Sequence, residues 1–228
     1  MNKKPYAHGA SELSLLGETI GRNLSKTCKT FPQREALICV HQDYKASYAE
    51  LWQQVEEVAK AFLAINVKKG DRVALWAPNC YEWVLVQYAT ARIGAILVNI
   101  NPAYRSSELA YVLGQSETTV IVSAVAFRGN SYKTMIEEAK WSCEHLREII
   151  YLDEGWKSFL GKEKKISDEQ LWEVEESIQF DEPVNIQYTS GTTGFPKGVT
   201  LSHHNILNNG YFIGKRLNYS EQDKVCIP

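Results

Sequence analysis

The sequence predicts an α/β protein with an open, doubly wound, mainly parallel sheet flanked by helices. Short apolar segments of strand length alternate with helical patterns of about ten residues, which is the spacing of βαβ crossovers. Apolar residues make up 44% and charged residues 23% of the 228 residues, as is ordinary for a globular protein. No internal repeat or low-complexity tract interrupts this alternation.

The individual elements follow from local signals. Ser47, followed three residues later by Glu50, forms a capping-box pattern that starts a helix with apolar residues at helical spacing. Gly94 ends a helix predicted over 81–93. Strands are predicted at 72–76, 95–100, 118–123, 148–152 and 184–189. Further helices are predicted at 107–114, 132–144 and, more briefly, near 168–175. Ligands of such a sheet bind at the carboxyl ends of its strands.

Composition and short motifs restrict the possible partners and cellular compartment of the protein. A formal net charge of -2 gives no indication of a nucleic-acid partner. The five cysteines are scattered and none forms a CxxC pair, which predicts free structural thiols in a reducing compartment. No signal peptide and no apolar stretch of ~18 residues is present, so we expect a cytoplasmic protein without a transmembrane segment. Residues 153–181 are rich in lysine and glutamate and predict a charged surface connection.

The most informative segment follows the last predicted strand. Residues 189–198 (TSGTTGFPKG) combine three glycines, four hydroxyl side chains and Lys197. Glycines let a backbone approach a ligand closely, and successive amides in such a turn form an anion-binding nest. A lysine adds a mobile point charge suited to phosphate. The segment therefore predicts a phosphate-binding loop.

Of two other interpretations of this loop, the sequence excludes one and leaves one open. It is not a Walker loop, because Lys197 lies between Pro196 and Gly198 and the GxxxxGK[ST] order is absent. A flexible hairpin without a ligand remains an alternative, since residues 198–201 can form a second strand.

Residues 188–199 (YTSGTTGFPKGV) closely resemble the signature loop of the adenylate-forming enzymes, which include acyl-CoA synthetases, luciferases and peptide-synthetase adenylation domains. Two weaker patterns of that family occur in the expected order, at 47–51 (SYAEL) and 91–104 (ARIGAILVNINPAY). Segments 99–104 and 185–190 look most like medium- and long-chain fatty acid–CoA ligases. The resemblance runs from about Thr27 onward.

The resemblance implies a reaction and a site. In the family, a carboxylate attacks Mg-ATP to give acyl-AMP and pyrophosphate, and coenzyme A then displaces AMP. ATP, Mg²⁺ and coenzyme A are therefore expected, with a fatty acid as substrate. By position, the ATP phosphates would be held by Thr189, Ser190, Gly191, Thr192, Thr193, Gly194 and Lys197. Thr189 would also help to place magnesium.

The resemblance also implies how the chain is divided. Residues 1–26 are expected to be an amino-terminal extension, and 27–228 a partial AMP-binding amino-terminal domain. The family's adenine segment, ribose aspartate and late catalytic lysine have no counterpart in these residues. We therefore expect no catalytic residue in this fragment and no activity from the 228-residue chain alone.

Several alternatives remain at this stage. A sibling enzyme that activates an amino or aryl acid, or a non-catalytic binding module, would share the same loop. Peripheral membrane contact and homodimerisation are also open. Among other residues, His203 and His204 are expected to be structural, Trp76 to lie in the core, and Arg92 and Arg105 to lie on the surface.

Overall fold

The computed structural model describes residues 13–189 and 196–227. Its strands are β1 (Glu35–Cys39), β2 (Tyr44–Ser47), β3 (Arg72–Trp76), β4 (Ile96–Asn99), β5 (Val120–Ser123), β6 (Ala126–Phe127), β7 (Asn130–Ser131), β8 (Glu148–Tyr151), β9 (Pro183–Thr189) and β10 (Lys197–Ser202). Its helices are α1 (Ile20–Thr30), α2 (Tyr48–Ala64), α3 (Tyr81–Ile93), α4 (Ser106–Gln115), α5 (Tyr132–Ala139), α6 (Trp156–Leu160), α7 (Asp168–Glu176) and α8 (His203–Arg216).

One six-stranded sheet organises the fold, with the strand order β10-β9-β4-β3-β5-β8. The ladders β3–β4, β3–β5, β4–β9 and β5–β8 are parallel, and only the β9–β10 ladder is antiparallel. The helices that connect the parallel strands cross over the faces of the sheet, as parallel pairing requires. The predicted mainly parallel α/β fold is therefore confirmed.

The predicted start of α2 and the predicted end of α3 are both found in the structure. The capping box at the start of α2 is formed: the Glu50 N–H donates to Ser47 Oγ at 3.3 Å, and the Ser47 N–H donates to Glu50 Oε2 at 2.8 Å. Helix α3 ends at Gly94, whose φ of 70° lies in the left-handed region. A Cβ atom there would be strained by this φ and would also lie 2.9 Å from Lys69 Cγ, so any larger residue would displace the Lys69 side chain.

The alternation of side chains along the central strands builds a core on each face of the sheet. Along β3, Val73 and Leu75 enter a cluster with α2 and α3, whereas Ala74 and Trp76 enter a second cluster with α4 and α5. Because successive residues of a strand point to opposite faces, a strand buried on both faces reads as one continuous apolar run. The prediction that Trp76 is a core residue is confirmed, since it is fully buried.

Residues 153–181 contain α6 and α7, and the helix predicted near 168–175 is α7. The segment buries Trp156, Phe159 and Leu171 in the core cluster that lies on α2 and α3. The sequence did not indicate these core contacts, because the apolar residues of this segment are few and widely spaced among lysines and glutamates.

The expected surface position is correct for Arg105, which is exposed, and wrong for Arg92. The Arg92 side chain is 2% exposed and binds Glu175 of α7 through Nε and Nη2, at 2.5 and 3.1 Å. Its guanidinium also lies 3.8 Å from the ring centroid of Trp52. A buried cation is tolerated only when it is paired in this way.

No helix within residues 13–189 and 196–227 is both long and apolar enough to cross a lipid bilayer. All five cysteines are free thiols, as predicted, with Cys28 and Cys143 buried.

Candidate functional site

The two described ends of the segment predicted to bind phosphate, Thr189 and Lys197, lie at the edge of the sheet where the parallel strands end. Strand β9 runs parallel to β4 and ends at Thr189, and β10 returns antiparallel from Lys197. This is the edge at which ligands of open α/β sheets bind. Both Thr189 and Lys197 are exposed, and Lys197 forms no ion pair with a described residue.

The predicted loop residues Ser190, Gly191, Thr192, Thr193 and Gly194 lie outside the described residues. Of the predicted phosphate contacts, the fold therefore locates only Thr189 and Lys197. These two residues are directly paired in the β9–β10 ladder. Paired residues of neighbouring strands direct their side chains to the same face, so the hydroxyl and the ammonium group belong to one surface.

Near the end of the strands, that surface carries two amide side chains together with the exposed Val199. Asn99 pairs with Gln187, and Gln187 pairs with Val199, so these residues share the face of Thr189 and Lys197. The Oδ1 atom of Asn99 is buried and accepts no hydrogen bond from a described residue. Leaving a buried oxygen without a partner costs about 1–3 kcal/mol, so this atom is available to accept a hydrogen bond.

The opposite face of the same hairpin is apolar and tightly packed. Ile186 and Tyr188 pack against the α4 cluster, and burial raises the pKa of Tyr188 to about 12. A Cβ atom at Gly198 would lie 3.2 Å from Ile186 Cγ2 and 3.3 Å from Tyr188 Cζ. A glycine at this position therefore allows the returning strand to lie directly on the tyrosine ring.

Segment 99–104, which resembles the fatty acid–CoA ligases, begins at the last residue of β4 and continues beyond the same edge of the sheet. Trp76 Nε1 donates to the Asn101 carbonyl at 3.1 Å, and the Tyr132 hydroxyl donates to the Pro102 carbonyl at 2.5 Å. The two aromatic rings stack with centroids 3.6 Å apart. Two buried rings thus hold this turn by its backbone, a contribution that the sequence pattern did not reveal for Tyr132.

The adjacent histidines have different environments. His203 is fully buried and its Nδ1 accepts the Ile20 N–H at 3.3 Å, which confirms a structural role. Burial lowers the pKa of His203 to about 4, although the carboxylate of Glu182 opposes the shift. Within the described ranges, no group of three or more His, Cys, Asp or Glu side chains is arranged to hold a metal ion.

The donor set at the edge suits a nucleotide phosphate better than a dedicated metal. Lys197 offers a cation that forms no ion pair within residues 13–189 and 196–227, and Thr189 offers a hydroxyl on the same face. Magnesium is usually held by one or two protein oxygens together with substrate phosphates and water, so a single hydroxyl fits that pattern.

A mainly parallel α/β sheet whose edge hairpin carries Thr189 and Lys197, joined by a segment of glycine and hydroxyl residues in the sequence, is the arrangement expected of the adenylate-forming class. The chain belongs to the AMP-binding enzyme family, whose family model matches residues 24–228.

Individual relatives agree with this assignment. The chain is 37% identical over 244 residues to the mitochondrial medium-chain acyl-CoA ligase ACSF2 of Danio rerio, covering 98% of this chain and 40% of that protein. It therefore spans about 40% of the length of this curated relative.

Two solved structures share the fold. The N-terminal domain of FACL13 from Mycobacterium tuberculosis aligns with a TM-score of 0.68 at 26% identity, covering 81% of this chain and 44% of that chain. The long-chain-fatty-acid-CoA ligase FadD1 from Archaeoglobus fulgidus aligns with a TM-score of 0.73 at 22% identity, covering 97% and 44%.

Proposed function

We propose that this chain is the amino-terminal part of an ATP-dependent fatty acid–CoA ligase. In the first half-reaction a fatty acid carboxylate displaces pyrophosphate from ATP to form acyl-AMP. In the second, the thiol of coenzyme A displaces AMP to form the acyl-CoA thioester. The observation that carries the proposal is the β9–β10 hairpin, which presents Thr189 and Lys197 on one face at the carboxyl edge of the sheet.

Within this proposal the chain contributes the phosphate-binding half of the site. Residues 190–194 would hold the β- and γ-phosphates, because their sequence of glycines and hydroxyl side chains suits anion binding, and Lys197 would supply a positive charge. A charge pair at about 4 Å contributes ~1 kcal/mol in water and ~4 kcal/mol at an effective dielectric of 20. Lys197 therefore acts strongly only when water is excluded from the bound nucleotide. Bound magnesium would neutralise phosphate charge beside Thr189.

The substrate assignment rests on two supports. Segments 99–104 and 185–190 resemble those of fatty acid–CoA ligases, and the Danio rerio relative is named a medium-chain acyl-CoA ligase. We propose a medium- or long-chain fatty acid for this chain. An amino or aryl acid is the alternative that the assay below distinguishes.

The test is ATP–pyrophosphate exchange by the protein translated from the whole reading frame that contains these residues, with a panel of fatty, amino and aryl acids. We expect exchange with fatty acids, and we expect Lys197→Ala to raise the KM for ATP by tenfold or more, since about 1.4 kcal/mol is one factor of ten. The matched control is Lys164→Ala, at an exposed lysine in the 163–165 turn. Wild-type kinetics in Lys197→Ala would reject the phosphate role, and exchange only with amino or aryl acids would reject the substrate.

The cellular compartment, the oligomeric state and any membrane contact are further parts of the proposal. We propose a cytoplasmic location, whereas the Danio rerio relative is named mitochondrial. Fractionation of the source cells with antibody detection decides between these compartments. Light scattering of the purified protein, with and without lipid vesicles, tests homodimerisation and peripheral membrane contact.

A further inference from the structure

We infer that Tyr111 of α4 is a positioning residue for Lys197, because its hydroxyl holds the backbone of the residue that precedes this lysine. The Tyr111 hydroxyl donates to the Pro196 carbonyl at 3.3 Å, across 85 positions of the sequence. Pro196 is the last residue before β10, so this bond lies where the predicted phosphate loop rejoins the sheet. The inference rests on the proposed function of Lys197.

The hydroxyl is itself oriented by its own helix. Gln115 Nε2, one turn further along α4, donates to the Tyr111 hydroxyl oxygen at 2.8 Å. An oxygen that accepts this bond keeps its own hydrogen for another acceptor, and the Pro196 carbonyl is within reach. The helix is a firm base, because Leu109, Val112 and Leu113 are fully buried.

The residue on the other side of Lys197 is held from the same face. Gly198 lies on the ring of Tyr188, and the Tyr188 hydroxyl makes a long contact of 3.5 Å to the Val112 carbonyl of α4. Pro196 and Gly198 are therefore both restrained by the α4 side of the hairpin.

This arrangement determines where Lys197 can point. Successive residues of a strand direct their side chains to opposite faces. When Pro196 and Gly198 are held against α4, Lys197 is directed to the other face, which carries Thr189. Tyr111 contacts no phosphate in this scheme. It restrains the backbone next to Lys197, so that the lysine side chain samples fewer orientations before the nucleotide binds.

A single hydrogen bond of this kind corresponds to a change in affinity of about threefold to tenfold. We therefore expect Tyr111→Phe to raise the KM for ATP by that factor in pyrophosphate exchange by the full-length protein. The kcat and the KM for the fatty acid should stay near the wild-type values, because neither depends on the bond to Pro196. Gln115→Met should act in the same direction, by about twofold, since it removes only the orientation of the hydroxyl.

The decisive measurement is the double variant Tyr111→Phe with Lys197→Ala. If Tyr111 acts through Lys197, its substitution has no further effect once the lysine side chain is gone. Tyr219→Phe, at an exposed tyrosine in the carboxyl-terminal segment, is the matched control and should leave all constants unchanged. Thermal midpoints within about 2 °C of wild type show that the phenylalanine variant is folded.

Two outcomes would overturn the inference: an unchanged KM for ATP in Tyr111→Phe, or an equal effect of this substitution with and without Lys197. A normal KM for ATP in Lys197→Ala alone would instead reject the proposed phosphate role of Lys197, and the positioning role of Tyr111 with it. The failure of each idea is thus visible in a different variant.

Discussion

Substitution of Arg92 should uncouple α7 from the sheet-covering helix α3. Arg92 lies in the last turn of α3 with its side chain 2% exposed. It makes two hydrogen bonds to Glu175 of α7 and lies 3.6 Å from the carboxylate of Glu56. The guanidinium also covers the ring of Trp52. No other described ion pair has so deeply buried a cation.

The magnitude follows from this burial. Removing one partner of a buried pair typically costs about 3–5 kcal/mol, because the other charge is left without compensation. Here Glu175 and Glu56 are 22% and 32% exposed, so water can partly solvate them, and the lower end applies. The lost cation–π contact adds about 1 kcal/mol. We expect Arg92→Met to lower the free energy of unfolding by about 4 kcal/mol, or about 8–16 °C in Tm.

Urea denaturation followed by circular dichroism measures this change. A double-variant cycle with Glu175→Gln should give a coupling energy above about 1.5 kcal/mol. Lys26→Ala is the control: Lys26 pairs with Glu18 but is 72% exposed, so we expect a change below about 0.5 kcal/mol. A loss below 1 kcal/mol in Arg92→Met, or additive effects of the two substitutions, would refute the reasoning.

Two further predictions concern titratable groups. Burial lowers the pKa of His203 to about 4 in the folded protein, whereas the histidine pKa in the unfolded chain is near 6.5. The unfolded chain therefore binds this proton more readily than the folded protein. The contribution of neutral His203 to the free energy of unfolding is fully present above about pH 6.5 and should fall by about 2–3 kcal/mol as the pH approaches 4. The difference in urea denaturation between wild type and His203→Asn measures this fall. Burial also raises the pKa of the Cys80 thiol to about 12, so iodoacetamide at pH 8 should modify the exposed Cys226 at least about tenfold faster, read by peptide mass spectrometry.

Each of these has a contrary outcome. Parallel pH profiles for wild type and His203→Asn would show that the pKa of His203 is the same in the folded and unfolded chain, against the lowering expected from burial. Rapid labelling of Cys80 in the native protein would show that its thiol is not buried at the start of α3. Labelling in urea, where both thiols are accessible, provides the reference rate for each peptide.

Much of the fold could be predicted from local pattern. The structure has β3 at Arg72–Trp76 and α3 at Tyr81–Ile93, the positions predicted from the apolar run and from Gly94. The sequence did not predict α1, the β1–β2 hairpin or the two-residue strands β6 and β7. Helix α1 buries only four residues among polar ones, and strands of two residues are too short to show a period.

The candidate site divides in the same way. The glycine, hydroxyl and lysine content of residues 189–198 is a local property, and it sufficed to indicate a phosphate loop and a family. The pairing of Thr189 with Lys197 depends on the register of β9 and β10, which only the folded hairpin determines. The roles of the loop residues between them remain predictions.

The sequence by itself determined the alternation of helices and strands, the mainly parallel sheet and the loop that identifies the family. Only the tertiary structure decided which side chains support that loop and which charge is buried. Tyr111 meets Pro196 across 85 positions, and Arg92 meets Glu175 across 83. Periodicity and capping act over a few residues, whereas these partners are brought together by the packing of α4 and α7, so no local pattern could indicate them.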